Sequence, residues 1–278
     1  MEPIKQELTR ETFKYEENLL IVSKDDLIIT GLPDGVKIPN YGCISSRLMH
    51  FWLWFIWNYQ YTANPLVTSD TSEIPQEFQK PEFLGRSIVT KQLEEVPFEF
   101  HIHYFVSESA LKVDQQNENI WKGKLQGLNL YDNLESPHMY VTEKDETGKD
   151  VYLELDDLYQ KLKVPGLAEM MVSTATYIYL AAMEYARFKG IIIANALIKF
   201  GFDSEGFLMV SNEILTPNTS DMWYLTHETK EVRNIFSLSD WIKENTKSDG
   251  TIPQIPEDII QKTSQEYAEL YRRLTRLA

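Results

Sequence analysis

The chain has 278 residues, 43% hydrophobic and 25% charged, which suits a globular protein and excludes wholesale disorder. Its 42 acidic residues outnumber 27 basic ones, and the net charge of −15 sets up a field that repels nucleic acid and anionic membrane. An anionic small molecule would need a local cluster of Lys, Arg, helix N-termini or metal in order to bind.

Cys43 is the only cysteine, so no intrachain disulfide can form, which fits a reducing, cytoplasmic setting. The start Met-Glu-Pro-Ile-Lys lacks the basic-then-apolar layout of a signal peptide. The longest apolar run, Leu48 to Trp57, is broken by His50 and is half of the roughly 20 residues that a membrane span requires. It reads as a buried helix, with Trp52, Trp54 and Trp57 in the core. The competing reading is an exposed aromatic patch that pairs with a second copy of the chain, making a homo-oligomer.

In chain order, Leu19–Val22 and Leu27–Thr30 read as strands, and Pro33-Asp34-Gly35 reads as a turn. Ile44, Leu48, Phe51 and Phe55 have helical spacing. Glu95 to Val106 alternates as a strand should, and residues 114–150 read as mostly polar loop. A short helix over Asp156 to Lys163 is stopped by Pro165-Gly166, and a long one runs from about Leu167 to Lys189, with Gly190 in the stop position. Two β-runs follow, Ile191–Asp203 and Phe207–Leu215, joined by Ser-Glu-Gly. Helices over Leu238–Asn245 and Pro256–Leu277 close the chain, the last with Ile259, Thr263, Tyr267, Leu270 and Leu274 on one face. Early strands followed by helix, hairpin and helix predict an α+β fold rather than a doubly wound parallel sheet.

The hairpin carries the functional argument. Strand alternation puts Asn195, Leu197 and Lys199 on one face, with Asn212 across from it, before the chain enters Leu-Thr-Pro-Asn-Thr-Ser. A polar cluster on an apolar hairpin, followed by a hydroxyl-rich turn, is how a sheet displays a binding site.

This segment resembles the SAICAR synthetase family, whose hairpin runs roughly GLILVDTKFEFG and then DEVLTPDSSR. Phe200-Gly201, Glu213, the Leu-Thr-Pro and Ser220 match in register. Four further blocks agree in order: Leu32 to Gly35 with the family's LPDG, and then Phe51-Trp52 in its following helix; Val96-Pro97 and Glu99 with VPVE; Lys144, Glu146, Gly148 and Asp150 with KAEEGHD; and TSQEYAELYRRLT with the family's terminal helix.

The resemblance implies two sub-lobes around a central cleft. Residues 1–110 would form a nucleotide-side lobe, and residues 111–278 a substrate-side lobe with hairpin 190–215 and terminal helix 256–277. It also implies ATP and a divalent metal, magnesium, used to join aspartate to a carboxylated aminoimidazole ribotide. By the same resemblance, Lys199, Asn212 and Glu213 take the catalytic positions, and Glu213 is the remaining metal-ligand candidate. Lys144, Glu146, Asp150, Thr216, Asn218, Thr219 and Ser220 would hold substrate, with Asn195 and His103 on the cofactor side.

Many family charges are changed. Asn195 and Asn212 stand where the family has Asp, Leu197 where it has Lys, and Lys199 where it has Glu. Asn218 and Asp221 replace an Asp and an Arg, while His103 and Phe105 replace arginines, Glu108 a glycine and Lys149 a histidine. The family's opening Gly-Lys-x-Arg phosphate loop has no counterpart, because the first glycine is Gly31. An Asn carbonyl is a poor substitute for a carboxylate at a hard cation, and an ammonium repels Mg²⁺. Losing three or four charge-assisted bonds would remove on the order of 5–10 kcal/mol of nucleotide binding.

Two readings stay open. In one, Lys199 takes the place of the metal, and the chain is an altered amide ligase acting on an anionic small molecule. In the other, the scaffold is a pseudoenzyme that binds a ligand or partner without turnover. His101 and His103 alternate on one strand face, but the five histidines are scattered, with no third ligand at metal spacing.

Overall fold

The computed structural model describes residues 2–29, 32–211, 213–225 and 232–276. It begins with β1 (Lys5–Gln6), β2 (Arg10–Tyr15), β3 (Asn18–Ser23), β4 (Asp26–Ile29) and β5 (Leu32–Lys37), followed by α1 (Tyr41–Asn58), β6 (Leu66–Thr68) and β7 (Ser87–Lys91). Next come β8 (Glu94–Phe105), α2 (Glu108–Gln116), α3 (Glu118–Trp121), β9 (Asn133–Lys144), β10 (Asp150–Leu153), α4 (Leu155–Leu162) and α5 (Leu167–Phe188). The hairpin region holds β11 (Ile191–Ile193), β12 (Asn195–Phe202), β13 (Leu208–Ser211) and β14 (Met222–Leu225), and α6 (Ser237–Asn245) and α7 (Glu257–Thr275) end the chain.

The chain divides into two units. One comprises residues 1–55, 65–92 and 233–278, and the other residues 56–64 and 93–232. The expected boundary at residue 110 falls inside the second unit, and the terminal helices belong with the N-terminal strands.

In the first unit, an antiparallel sheet runs in the order β1-β2-β3-β7-β6. Helix α7 buries Thr263, Tyr267, Leu270 and Leu274, as its spacing predicts. Tyr267 packs edge-on against Tyr41 at 4.9 Å, and the Ser264 hydroxyl donates to the Pro39 carbonyl at 2.6 Å. Two expectations fail here. Pro33 to Gly35 lies within strand β5 rather than a turn. On α1, Trp52 is fully buried, but Trp54 and Trp57 are about half exposed, at 47% and 51%.

The second unit is built on an antiparallel sheet in the order β10-β9-β8-β12-β13. Its apolar face carries Phe98, Phe100, Ile102, Val141, Ile198, Phe200 and Val210, all buried. Helix α5 buries Met171, Ala175, Ile178, Tyr179 and Ala182, and Tyr179 donates to the carbonyls of Ile193 (3.0 Å) and Ala194 (2.9 Å). Burying this core removes enough apolar area to contribute roughly 1.5–3 kcal/mol for each large side chain. The 12-residue strand β9 overturns the reading of residues 114–150 as mostly loop.

Register fixes what the opposite face displays. Across β8 and β12, Asn195 faces His103, Leu197 faces His101, and Lys199 faces Glu99. Across β8 and β9, His101 faces Tyr140 and Glu99 faces Thr142. Directly paired residues share a face, so these side chains form one polar and aromatic surface. A bulge between Lys199 and Gly201 shifts the register, and pairing resumes with Gly201 facing Glu95 and Phe202 facing Glu94. There a Cβ on Gly201 would lie 2.8 Å from Leu93 Cβ and 2.9 Å from the Glu94 carbonyl oxygen, so only glycine fits.

Candidate active site

The polar face opens into a cleft of about 200 Å³, lined by His101, His103, Tyr140, Asn195, Ser109, Leu197 and the residues 217–221 that follow the Leu-Thr-Pro turn. That loop is sewn onto β12: the Leu197 amide donates to the Thr219 carbonyl at 2.9 Å, and the Ala194 amide to the Asp221 carbonyl at 2.8 Å. Within the loop, the Thr216 hydroxyl donates to Glu213, and Asn218 Nδ2 donates to the same carboxylate oxygen at 2.9 Å. Thr216 is fully buried, so it staples the loop instead of facing a ligand.

Asn195 is the hub beneath the cleft. Its Nδ2 donates to Ser109 Oγ and Asp221 Oδ2, each at 2.7 Å, and its Oδ1 accepts from the Asp221 amide at 2.8 Å. Ser109 Oγ also donates to Asp221 Oδ2 at 2.6 Å, and Ser107 caps α2 by accepting from the Ala110 amide at 3.2 Å. Asn195 lines the cleft, as Ser109 and Asp221 do. Its amide is spent on tying the 217–221 loop to the start of α2.

The histidines form a stacked column. Tyr140 stacks on His101 at 4.6 Å and on His103 at 5.6 Å, while Trp121 meets His103 edge-on at 5.1 Å. His101 Nε2 pairs with Thr142 Oγ1 at 2.9 Å. Burial pushes the His101 pKa down to about 4, with Lys199 and Lys144 reinforcing the shift and Glu99 and Asp150 opposing it. Burial likewise pushes His103 down to about 3, so both rings are neutral at pH 7. His138 is lowered to about 4, first by burial and then by the Lys124 ammonium, which lies 3.0 Å from its Nδ1. His103 is part of the cleft wall. Sequence reading missed Ser107, Ser109, Tyr140 and His138, because their contacts with Asn195, Asp221, His101 and Ile120 join segments distant in the chain.

Lys199 closes an ion pair with Glu99 on the facing strand. Lys144 pairs with Asp150 across β9 and β10, beyond the cleft wall, and Glu146 is exposed in the turn between them. None of these five residues lines the cleft with Thr219 and Ser220. Asn212 lies outside the described residues.

A divalent cation finds little here. Among the described residues, no three His, Cys, Asp or Glu side chains gather closely enough to hold a metal. The Glu213 carboxylate is engaged by Thr216 and Asn218, and that of Glu99 by Lys199. This donor set does not fit magnesium, which demands near-octahedral oxygen ligation.

A family model for SAICAR synthetase matches residues 8–247. The chain belongs to the SAICAR synthetase family. It is 28% identical over 278 residues to the phosphoribosylaminoimidazole-succinocarboxamide synthase of Lachnospira eligens, covering 96% of this chain and 92% of that one. The enzyme of the same name from Thioalkalivibrio sulfidiphilus is 30% identical over 272 residues, covering 94% of this chain and 90% of that one. Among solved structures, SAICAR synthase from Saccharomyces cerevisiae, complexed with SAICAR, superposes with a TM-score of 0.80 at 23% identity, covering 99% of this chain and 94% of that one. The mixed helix and antiparallel-sheet architecture is thus the family's, as the sequence predicts. No helix among the described residues is long and apolar enough to cross a membrane.

Proposed function

We propose that this chain is an ATP-dependent ligase of the SAICAR synthetase family that forms an amide bond on an anionic small molecule, with Lys199 supplying positive charge where relatives would use a metal. The observation that supports this most directly is the Lys199–Glu99 pair beside the cleft, at a position where the resemblance expects a carboxylate. An ammonium there offers positive charge to a carboxylate or phosphate without a cation, and Glu99 orients it. Thr219 and Ser220 line the cleft as hydrogen-bonding groups, and the neutral histidines and Tyr140 give it an aromatic wall. Lys144 and Lys149 add charge at the β9–β10 turn. The single free Cys43 accords with a cytoplasmic setting. No observation favours a binding protein without turnover.

The test is a thermal-shift series with ATP, with and without Mg²⁺ and with a chelator, because a ligand stabilises the fold by RT ln(1 + [L]/Kd). The expected result is a rise in Tm with ATP that survives the chelator, accompanied by ADP release once a carboxylate and an amine are supplied. No shift at millimolar ATP under any condition overturns the ligase reading. A shift that needs Mg²⁺ overturns the role given to Lys199.

A further inference from the structure

Helix α5 packs one side on β8, β11 and β12 and leaves the other bare. Met171, Ala175, Ile178, Ala182 and Ala186 are buried at three- and four-residue spacing and mark the inner side. Met170, Tyr177 and Phe188 share the opposite side, where they are 46%, 62% and 79% exposed. Single exposed apolar residues are ordinary, but three in line along a 22-residue helix, about 33 Å long, form a stripe. Glu169 and Arg187 flank it. They are 18 residues apart, five turns of 3.6, so both project from the same flank at opposite ends of the helix. Both are exposed, and neither side chain has a hydrogen bond or ion pair among the described residues. About 27 Å of helix separates them, too far for them to pair with each other.

A second α5 running antiparallel about a two-fold axis sets the flank of Glu169 against the flank of Arg187 at both ends. Residue 178 is the midpoint between the two charges, and Tyr177 is next to it. The same arrangement therefore brings the two Tyr177 rings together and sets Met170 of each copy within a turn of Phe188 of the other. The net charge of −15 opposes self-association in general. Over residues 167–189, however, two acids, Glu169 and Glu184, balance two bases, Arg187 and Lys189. Helix α1 also shows half-exposed Trp54 and Trp57, but Arg47 is its one charged residue, so it has no complementary pair to set a register. We propose that α5 is a self-association face, through which two copies of the chain pair as an antiparallel helix dimer with Glu169 of each bonded to Arg187 of the other. One helix covers less than the roughly 800 Å² per partner of a standard interface, so the dimer is reversible. Glu184 falls opposite residue 172, a valine, and weakens the pair because no cation neutralises it there.

Sedimentation velocity on the full chain, from about 5 to 500 μM, tests this. The expected result is a monomer–dimer equilibrium. Tyr177→Glu is expected to weaken it at least about tenfold, with the Tm of the dilute chain unchanged because residue 177 is exposed in the monomer. Arg187→Glu sets two carboxylates together and is expected to weaken the dimer about tenfold. The exchange of both charges, Glu169→Arg with Arg187→Glu, is expected to return it to within about threefold of wild type. Glu184→Gln is expected to tighten it, and Trp54→Ser with Trp57→Ser to leave it unchanged. The inference is overturned if the chain is monomeric at every concentration, if the dimer survives both Tyr177→Glu and Arg187→Glu, if the charge exchange fails to restore it, or if the α1 variant is the one that dissociates it. Turnover is not read in this experiment, so its outcome is independent of the ligase reading.

Discussion

Lys199 on β12 stands directly across from Glu99 on β8, and their side chains close an ion pair between residues 100 apart in sequence. The Lys199 side chain is 36% exposed and that of Glu99 15%, so solvent screens the pair only in part. Lys199→Glu would set two carboxylates opposite each other and is expected to cost about 1–2 kcal/mol of stability. Exchanging both residues, Glu99→Lys with Lys199→Glu, is expected to restore most of it. Urea denaturation of the four proteins gives the coupling energy, and additive effects would show that the two side chains do not interact. In the same series, Lys199→Glu is expected to abolish the metal-free shift with ATP.

Asn195 donates to Asp221 at 2.7 Å, which makes the amide more than a neutral copy of a carboxylate. Asn195→Asp removes that donor and brings two carboxylates together. The expected cost is about 2–4 kcal/mol at pH 7, a buried partner being left without its bond and a like charge added. A carboxylate shifted upward in the fold favours the protonated native state at low pH, so the deficit is expected to shrink as pH falls from 7 toward 5. Denaturation midpoints of both proteins across that range check it, and a pH-independent deficit argues against charge repulsion as the cause.

The hairpin itself was readable. Strand alternation put Asn195, Leu197 and Lys199 on one face, and the helix before it and the α7 face follow from hydrophobic spacing. The strand across the site was not readable. In β9 the sheet's polar face carries His138, Thr142 and Lys144, so the segment looks like solvated loop until β8 and β10 pair with it. The roles of Asn195 and Asp221 were hidden for a similar reason. The resemblance put Asn195 on the cofactor side, whereas its bonds to Ser109 and to the loop depend on pairings that local sequence does not encode.

Gly201 sits at the bulge where the β8–β12 register shifts, next to the Lys199 row. An added methyl would press on the Glu94 backbone oxygen at 2.9 Å, which cannot swing aside as a side-chain tip can. Gly201→Ala is expected to destabilise by about 1–3 kcal/mol, in the range of overpacking. If urea denaturation shows wild-type stability, the close approach is not a constraint.

The stacked histidines tie stability to pH. Burial holds His101 at about 4 and His103 at about 3, whereas in the unfolded chain each titrates near 6.5. Because the folded values are lower, the unfolded chain binds the extra protons. The stabilisation from keeping these rings neutral is complete above about pH 6.5 and is lost as pH falls toward the folded values. Each ring contributes a slope that rises from about 0.7 kcal/mol per pH unit at pH 6.5 toward about 1.4 at pH 5, so the pair is expected to lose about 3 kcal/mol between pH 6.5 and 5. Most unfolded carboxylates titrate below that window, which isolates the histidine effect. His103→Gln keeps a polar side chain in the wall and is expected to flatten the slope by about one proton. Urea denaturation at half-unit steps measures it, and an unchanged slope would mean that His103 is not held neutral by its surroundings.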